Sequence, residues 1–173
     1  SMTTNDVVES RQSVVAKPSS KDSSLLSTTK DVSQDFSEPK IRVLIVDDLR
    51  LVCEGLQAIF DEVQDIDIVG FALNGQDAIK QVSKIKPDVV ILDLLMPGMG
   101  GIEATKKISK QYPDVKILIL SATDDDSIVS EIIAAGANGY VFKSMVISEL
   151  ALAIRSVHSG SYHFAAGLLD NLV

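Results

Sequence analysis

Charged or hydroxyl side chains stand where four short apolar runs of this sequence end. Asp47 and Asp48 follow the first run, Asp93 follows a later one, and Ser121 and Lys143 follow two more. Neighbouring carboxylates repel and raise each other's pKa unless a cation lies among them. Mg²⁺ meets that need, because it prefers oxygen ligands and fills its remaining positions with water and phosphoryl oxygens. A carboxylate beside such a metal could act as a nucleophile toward phosphorus, which would give an aspartyl phosphate.

The strands that must position these side chains follow from the apolar pattern. Five short runs rich in β-branched residues predict strands at 41–46, 66–72, 89–92, 116–120 and 139–142. Several runs are apolar almost throughout, which is typical of parallel strands that are buried on both faces. Because the polar residues stand at the carboxyl ends of these strands, we expect them to share one rim of the sheet.

Apolar residues at helical spacing fill the intervals between the strands. A first helix carries Val52, Leu56, Ile59 and Phe60 on one face, and four more helices are predicted at 74–86, 101–111, 127–135 and 146–159. Strands that alternate with helices predict a doubly wound α/β domain with a five-stranded parallel sheet. Ligands of such domains bind beyond the carboxyl ends of the strands, near the point where the strand order reverses.

Each polar residue has an ordinary explanation when it is considered singly. Asp48 could be a solvated loop residue or a helix N-cap, and Tyr140 could be a packed aromatic at a strand end. All five groups together at the expected strand ends favour a site. The acidic run Asp124-Asp125-Asp126 is predicted to cap the fourth helix and not to bind a metal. No function is predicted for three further residues, Cys53, His158 and His163.

Four separated motifs resemble the receiver domain of two-component response regulators. They are I-R-V-L-I-V-D-D at 41–48, V-V-I-L-D-L-L-M-P-G-M-G-G at 89–101, K-I-L-I-L-S-A at 116–122 and G-A-N-G-Y-V-F-K at 136–143. The resemblance covers residues 41 to about 159 and implies a flavodoxin-like fold of five strands and five helices. Ser144 follows the lysine where many receivers have proline, and in this respect the chain is similar to the NarL/FixJ (LuxR-type) subfamily.

The resemblance implies a role for each acidic residue at the strand ends. Asp93 would be the phosphoacceptor, Asp48 a direct Mg²⁺ ligand, and Asp47 an assisting ligand that acts through water. The backbone carbonyl of Leu95 would be another ligand. Mg²⁺ is therefore the expected cofactor.

Three more side chains are implied to hold the phosphoryl group and to respond to it. Lys143 would pair with the acceptor carboxylate and then with the phosphoryl group, and Ser121 would hydrogen-bond a phosphoryl oxygen. Tyr140 matches the aromatic switch whose ring turns inward when the hydroxyl residue moves. These roles agree with the physics of phosphoryl transfer, which depends mainly on positioning and on stabilisation of charge by a metal and a cation.

A signalling role with particular partners is also implied. A sensor histidine kinase would donate the phosphoryl group from a phosphohistidine, and phosphorylation would change the conformation and favour a homodimer. Members of the similar subfamily usually continue into a helix-turn-helix domain, so that DNA would be bound only through an effector domain that this chain lacks. Such a protein is a regulator and not an enzyme with a separate substrate. The alternative is a stand-alone or phosphorylation-independent receiver that acts by protein–protein interaction.

Composition divides the 173 residues into three parts and excludes several classes. Residues 1–40 are rich in Ser and Thr and are predicted to be a disordered arm that begins with a cloning remnant, Ser1-Met2. The receiver domain is expected at 41–159, and 160–173 would begin a linker whose first helix covers 165–173. The net charge of -8 argues against a nucleic-acid surface. The single cysteine, the lack of a signal sequence and the lack of a long apolar segment predict a cytoplasmic protein without a membrane span.

One departure from similar domains predicts slow loss of the phosphoryl group. Leu95 lies two residues after Asp93, where polar side chains in similar domains help to orient the attacking water. An aliphatic side chain cannot do so. Thr123 is the remaining candidate for that task.

Two other classes on related architectures fit the residues less well. A flavodoxin-type binding module needs a phosphate loop rich in Ser, Thr and Gly after the first strand, where this chain has Asp47-Asp48-Leu49-Arg50. A haloacid-dehalogenase-type phosphatase places its nucleophile in an Asp-x-Asp motif after the first strand. Here the two acids are adjacent, and the isolated acid follows the third strand.

Overall fold

The predicted alternation of strands and helices is confirmed in a computed structural model, which describes residues 38–122, 125–144 and 147–164. The strands pair in parallel in the order β2-β1-β3-β4-β5-β6. Their bounds are β1 Ile41–Val46, β2 Ile66–Ala72, β3 Val89–Asp93, β4 Lys116–Ser121, β5 Gly139–Phe142 and β6 His163–Phe164.

In the described residues, five α-helices connect or follow the strands. They are α1 Arg50–Phe60, α2 Gly75–Ile85, α3 Gly101–Gln111, α4 Val129–Ala135 and α5 Ile147–His158. The helix predicted at 127–135 begins with a 3-10 turn, Asp126–Ile128, before its α-helical part. Asp125 caps that turn, since its side chain accepts a hydrogen bond from the Ser127 N–H at 3.0 Å. Asp124 lies outside the described residues, as does Val146, where the fifth helix was expected to begin.

A sixth strand extends the five-stranded sheet that the pattern predicts. His163 and Phe164 pair in parallel with Gly139 and Tyr140 at the edge of β5. The His163 N–H donates to the Asn138 carbonyl at 3.0 Å. Two residues are too few to show a strand period, so the sequence pattern gave no signal for β6. The expected disordered arm over 1–37 and the expected linker helix over 165–173 lie outside the described residues.

Two apolar cores lie on the two faces of the sheet. One face packs against α2, α3 and α4, where Ala78, Val82, Ala104, Ile108 and Ile132 are buried. The other face packs against α1 and α5, as the second set of buried residues shows: Cys53, Phe60, Leu150, Ile154 and Val157. Alternate strand residues supply both cores, because successive side chains of a strand point to opposite faces. This arrangement explains why the strand segments are apolar almost throughout.

The order of the strands places a crevice at the ends of β1 and β3. β1 lies between β2 and β3, so the chain crosses from one side of β1 to the other after β2. Connections on opposite sides leave a gap beyond the carboxyl ends of the strands at this point. In the part of the chain that the structure describes, no helix is long and apolar enough to cross a membrane.

Candidate functional site

Three carboxylates gather at the crevice. Asp47 and Asp48 follow β1 directly, and Asp93 is the last residue of β3. One carboxylate oxygen from each lies within 4.8 Å of the others. Asp47 and Asp93 are buried, whereas Asp48 is accessible to solvent. The structure therefore brings together the acids that the sequence pattern grouped, with one side open to an incoming ligand.

Lys143 joins the cluster from the end of β5. Its Nζ lies 3.3 Å from Asp47 Oδ2 and 3.3 Å from Asp93 Oδ1. The Lys143 backbone N–H donates to the Ser121 carbonyl at 2.7 Å, so pairing with the end of β4 fixes where the lysine leaves the sheet. The ammonium consequently forms ion pairs with both buried acids.

Burial and charge act against each other at these groups. Burial and then the charge of Asp47 raise the pKa of Asp93, although Lys143 and a backbone hydrogen bond from Leu95 oppose this rise. Burial disfavours the charged form of Lys143, but the charges of Asp93 and Asp47 outweigh it and raise the pKa of the lysine. Three ionised carboxylates against one ammonium leave two negative charges, which one divalent cation would balance.

The hydrogen bonds of Asp47 fit a metal ligand. Its Oδ1 accepts a hydrogen bond from the Leu49 N–H at 2.9 Å, which holds the carboxylate in place. Its Oδ2 is buried, and the ammonium of Lys143 lies 3.3 Å from it as a charged partner. A carboxylate oxygen has two lone pairs, so it can contact a metal ion and the ammonium together. Together with the carboxylates of Asp48 and Asp93, this oxygen is suited to Mg²⁺.

The two residues predicted to form a switch lie on neighbouring strands behind the cluster. Ser121 is buried at the end of β4, where it pairs in register with Phe142. Tyr140 is fully buried, and its ring packs edge to face against the Phe142 ring, with centroids 5.4 Å apart and planes at 82°. Phe142 therefore lies next to both residues. The movement of Tyr140 with Ser121 stays a prediction.

Leu95, which was predicted to bind the metal through its backbone carbonyl, lies in the loop after β3. Leu95 has 67% of its surface exposed, and its backbone is hydrogen-bonded to Asp93. Its role as a metal ligand through the carbonyl stays a prediction. Thr123, the other candidate for orienting water, lies outside the described residues.

Two contacts that support Asp47 were not predicted. One is the hydrogen bond from the Leu49 N–H to the Asp47 carboxylate. Asp side chains often accept from the backbone N–H two residues later in an Asx turn, so this contact could have been recognised from the sequence. The other is the Cys53 thiol, which donates to the Asp47 carbonyl at 3.7 Å. Burial, followed by the charge of Asp47, raises the pKa of Cys53, so the reactive thiolate is disfavoured.

Fold and site together define a class: a flavodoxin-like α/β domain with an acidic cluster and a lysine at the strand ends. The model of the response regulator receiver domain matches residues 43–155. This chain belongs to that family, as the four motifs predicted. It is therefore the receiver domain of a two-component response regulator.

The curated relatives are response regulators and transcriptional regulatory proteins by name. The response regulator UvrY of Escherichia coli is 39% identical over 132 residues, which are 76% of this chain and 61% of UvrY. The transcriptional regulatory protein DegU of Brevibacillus brevis is 34% identical over 142 residues, or 82% of this chain and 60% of DegU. The transcriptional regulatory protein LnrK of Bacillus subtilis is 36% identical over 120 residues, or 69% and 54%. This chain thus spans little more than half the length of these relatives.

Solved structures confirm the LuxR-type resemblance. A LuxR-family response regulator from Aurantimonas superposes with a TM-score of 0.71 at 30% identity, covering 76% of this chain and 94% of that one. The receiver domain of the putative response regulator NarL from Mycobacterium tuberculosis superposes with a TM-score of 0.67 at 30% identity, covering 71% and 99%.

Proposed function

We propose that this chain is a phosphorylation-controlled switch in which Asp93 accepts a phosphoryl group from a phosphohistidine of a sensor histidine kinase. One observation carries the proposal: Asp93 lies within 4.8 Å of two other acids and 3.3 Å from the Lys143 ammonium. Three carboxylates with an ammonium in one crevice can hold a metal ion and a phosphoryl group together, which is what phosphoryl transfer requires.

The transfer step uses the carboxylate of Asp93 as the nucleophile. One of its oxygens attacks phosphorus, a P–O bond forms, and the P–N bond of the donor breaks with its electron pair left on the imidazole nitrogen. Lys143 opposes the rise that burial causes in the pKa of Asp93, which favours the nucleophilic carboxylate, and then faces the charge of the new phosphoryl oxygens. The chain in this way promotes its own phosphorylation and acts on no separate substrate.

Asp47, Asp48 and Asp93, with the backbone carbonyl of Leu95, would hold Mg²⁺. When bound, Mg²⁺ supplies positive charge beside the transferred oxygens. The buried Asp47 Oδ2 supports this ligand set, because it contacts the Lys143 ammonium through one lone pair and has a second lone pair for a metal cation.

Phosphorylation would be read out through Ser121 and Tyr140. The Ser121 hydroxyl would bond a phosphoryl oxygen, and the Tyr140 ring would alternate between an outward position and the buried position that it has here, which phosphorylation would favour. Both residues adjoin Phe142, which supports their coupling. A two-position element of this kind is what a switch requires.

The partners follow from the family. We propose a sensor histidine kinase as donor, a homodimer that phosphorylation favours, and DNA binding only through a further effector domain. Relatives named as transcriptional regulators are longer than this chain, which supports such a domain.

The experiment is labelling by a small phosphodonor. The protein is incubated with Mg²⁺ and acetyl phosphate, and its intact mass is measured for wild type, Asp93→Asn and Asp114→Asn, an exposed acid outside the cluster. We expect a phosphate-sized increase in wild type and Asp114→Asn only. Equal labelling of all three proteins would contradict Asp93 as acceptor, and no labelling of any would favour a phosphorylation-independent receiver.

A further inference from the structure

Helix α3 begins directly against the backbone of the acceptor residue. The Gly101 N–H donates to the Leu94 carbonyl at 3.0 Å. A Cβ added to Gly101 would lie 2.6 Å from the Asp93 carbonyl oxygen, 2.8 Å from Leu94 Cα and 2.9 Å from the Leu94 carbonyl oxygen. All three atoms belong to the backbone, so no flexible side chain could move aside. Any side chain at this position must displace either α3 or the peptide that carries the acceptor.

The Asp93-Leu94 peptide is held from the opposite side as well. The Leu94 N–H donates to the Leu120 carbonyl of β4 at 3.0 Å. The peptide thus lies between β4 and the first residue of α3. A movement of the peptide would distort that hydrogen bond. A displacement caused at residue 101 would pass to the Asp93 carboxylate, which belongs to the same residue as the contacted carbonyl.

Thr105 fixes the start of α3 from within the helix. Its side chain is fully buried, and its hydroxyl donates to the Gly101 carbonyl at 2.6 Å. This bond links the Gly101 carbonyl to a side chain one helical turn away that is itself buried. The buried Thr105 side chain therefore helps to hold the first turn of α3 in place.

From these contacts we infer that Gly101 is a positioning residue for phosphoryl transfer. Its lack of a side chain lets α3 lie against the Asp93-Leu94 peptide, and this contact sets the distance from the Asp93 carboxylate to Lys143 and to the other acids. The inference rests on the proposed function of Asp93. The position of the acceptor carboxylate then depends on α3, although the side chains of that helix take no part in the chemistry.

The preceding glycine provides a matched control. A Cβ at Gly100 would have only the Leu94 carbonyl oxygen near it, at 4.0 Å, and the residue has an ordinary extended conformation with φ -72° and ψ 172°. Alanine therefore fits at 100 and does not fit at 101. The two substitutions change the same chemistry at adjacent positions of one helix start.

The first measurement is the rate of phosphate incorporation from saturating acetyl phosphate and Mg²⁺. We expect Gly101→Ala to lower the rate constant by roughly tenfold to a hundredfold, as misplacement of a reacting group by about 1 Å does. Gly100→Ala should stay within about twofold of wild type, because it disturbs no contact. A wild-type rate in folded Gly101→Ala would overturn the inference.

The second measurement does not depend on phosphorylation. Bound Mg²⁺ raises the melting temperature of a protein that binds it only when folded. Wild type and Gly100→Ala should show this rise in the unphosphorylated state, and Gly101→Ala should lose most of it, which a purely structural defect would not cause. If wild type is neither stabilised by Mg²⁺ nor labelled, the proposed function fails; if wild type responds and Gly101→Ala responds equally, only the positioning role fails.

Thr105 gives a second route if Gly101→Ala does not fold. Thr105→Val keeps the shape of the side chain but removes the hydroxyl that holds Gly101, whereas Thr105→Ser retains it. We expect the valine variant to need several-fold more Mg²⁺ for half-maximal labelling and the serine variant to restore the wild-type requirement. Identical Mg²⁺ requirements in the two variants would contradict the inference.

Discussion

Lys143 forms ion pairs with two buried acids, and its single charge offsets only part of their repulsion. Burial first and the charge of Asp47 second raise the pKa of Asp93, and Lys143 opposes both effects only in part. The identity of these residues was predictable, because each one ends an apolar run. The hydrogen bond from Leu49 and the ring contact between Phe142 and Tyr140 were not, since neither depends on a period or on a strand end.

The side chain of Leu95 gives a prediction about the lifetime of the phosphorylated state. It is 67% exposed beside the acceptor and offers no hydrogen bond to an attacking water. Leu95→Asn should accelerate hydrolysis by roughly tenfold, which corresponds to a hydrogen bond of about 1.4 kcal/mol made in the transition state. The measurement is phosphate release over time from the purified phosphorylated protein.

A matched exposed leucine controls for general effects of this substitution. Leu152 on α5 is 56% exposed and lies outside the acidic cluster. Leu152→Asn should leave the release rate unchanged. The same decay for wild type and Leu95→Asn would remove the idea that an aliphatic residue at 95 slows hydrolysis.

At the level of elements, the periods of apolar residues predicted each strand and α-helix of four or more residues that the structure describes. Helix α4 differs at its start, where a 3-10 turn capped by Asp125 takes the place of the first α-helical turn. Strand β6 was not predicted, because it depends on hydrogen bonds to β5 and on packing of Phe164 against the core, and neither has a local signal. The close contact at Gly101 was also not predictable, because the sequence does not show which atoms a side chain at that position would contact.

The docking of β6 can be tested through one amide. The His163 N–H is bonded to the Asn138 carbonyl, and Phe164 packs against the core that contains Tyr140. Phe164→Ala should remove that packing and raise the hydrogen-exchange rate of the His163 amide. Ser161→Ala, an exposed neighbour, should leave it unchanged. Equal exchange in wild type and Phe164→Ala, measured by NMR, would show that packing of Phe164 does not hold the strand.

Across the whole molecule, the sequence predicted the sheet and its two cores well because both depend on patterns that repeat along the chain. Contacts between exposed side chains of distant segments were not predictable. Asp65, just before β2, binds Arg155 of α5 through two hydrogen bonds of 2.7 and 2.8 Å. These residues are 90 positions apart, and exposed charges of either sign are common along the chain. The sequence therefore does not indicate which of them form a pair.

This ion pair predicts a pH dependence of stability. The hydrogen bond from Arg155 lowers the pKa of Asp65, so the pair stabilises the fold above the unfolded-state pKa of about 3.9 and is lost as pH falls through the lower folded-state value. Both side chains are about half exposed, and solvent screening limits the contribution to about 0.5 kcal/mol. Arg155→Gln should be less stable than wild type by this amount at pH 7 in urea unfolding, and the difference should shrink toward pH 3.

A double-mutant cycle isolates the pair from other effects of the arginine. Asp65→Asn should lose the same amount at pH 7, and the double variant should lose no more than either single variant. Additive losses would show that the two side chains stabilise the fold independently of each other.

Chemical identification of the phosphorylated residue tests most directly whether Asp93 is the phosphoacceptor. Borohydride reduces an aspartyl phosphate to homoserine, so the protein is labelled with acetyl phosphate and Mg²⁺, reduced, digested and sequenced by mass spectrometry. If Asp93 is the acceptor, we expect homoserine at position 93 and nowhere else. Homoserine at position 47 or 48, with Asp93 unchanged, would contradict it.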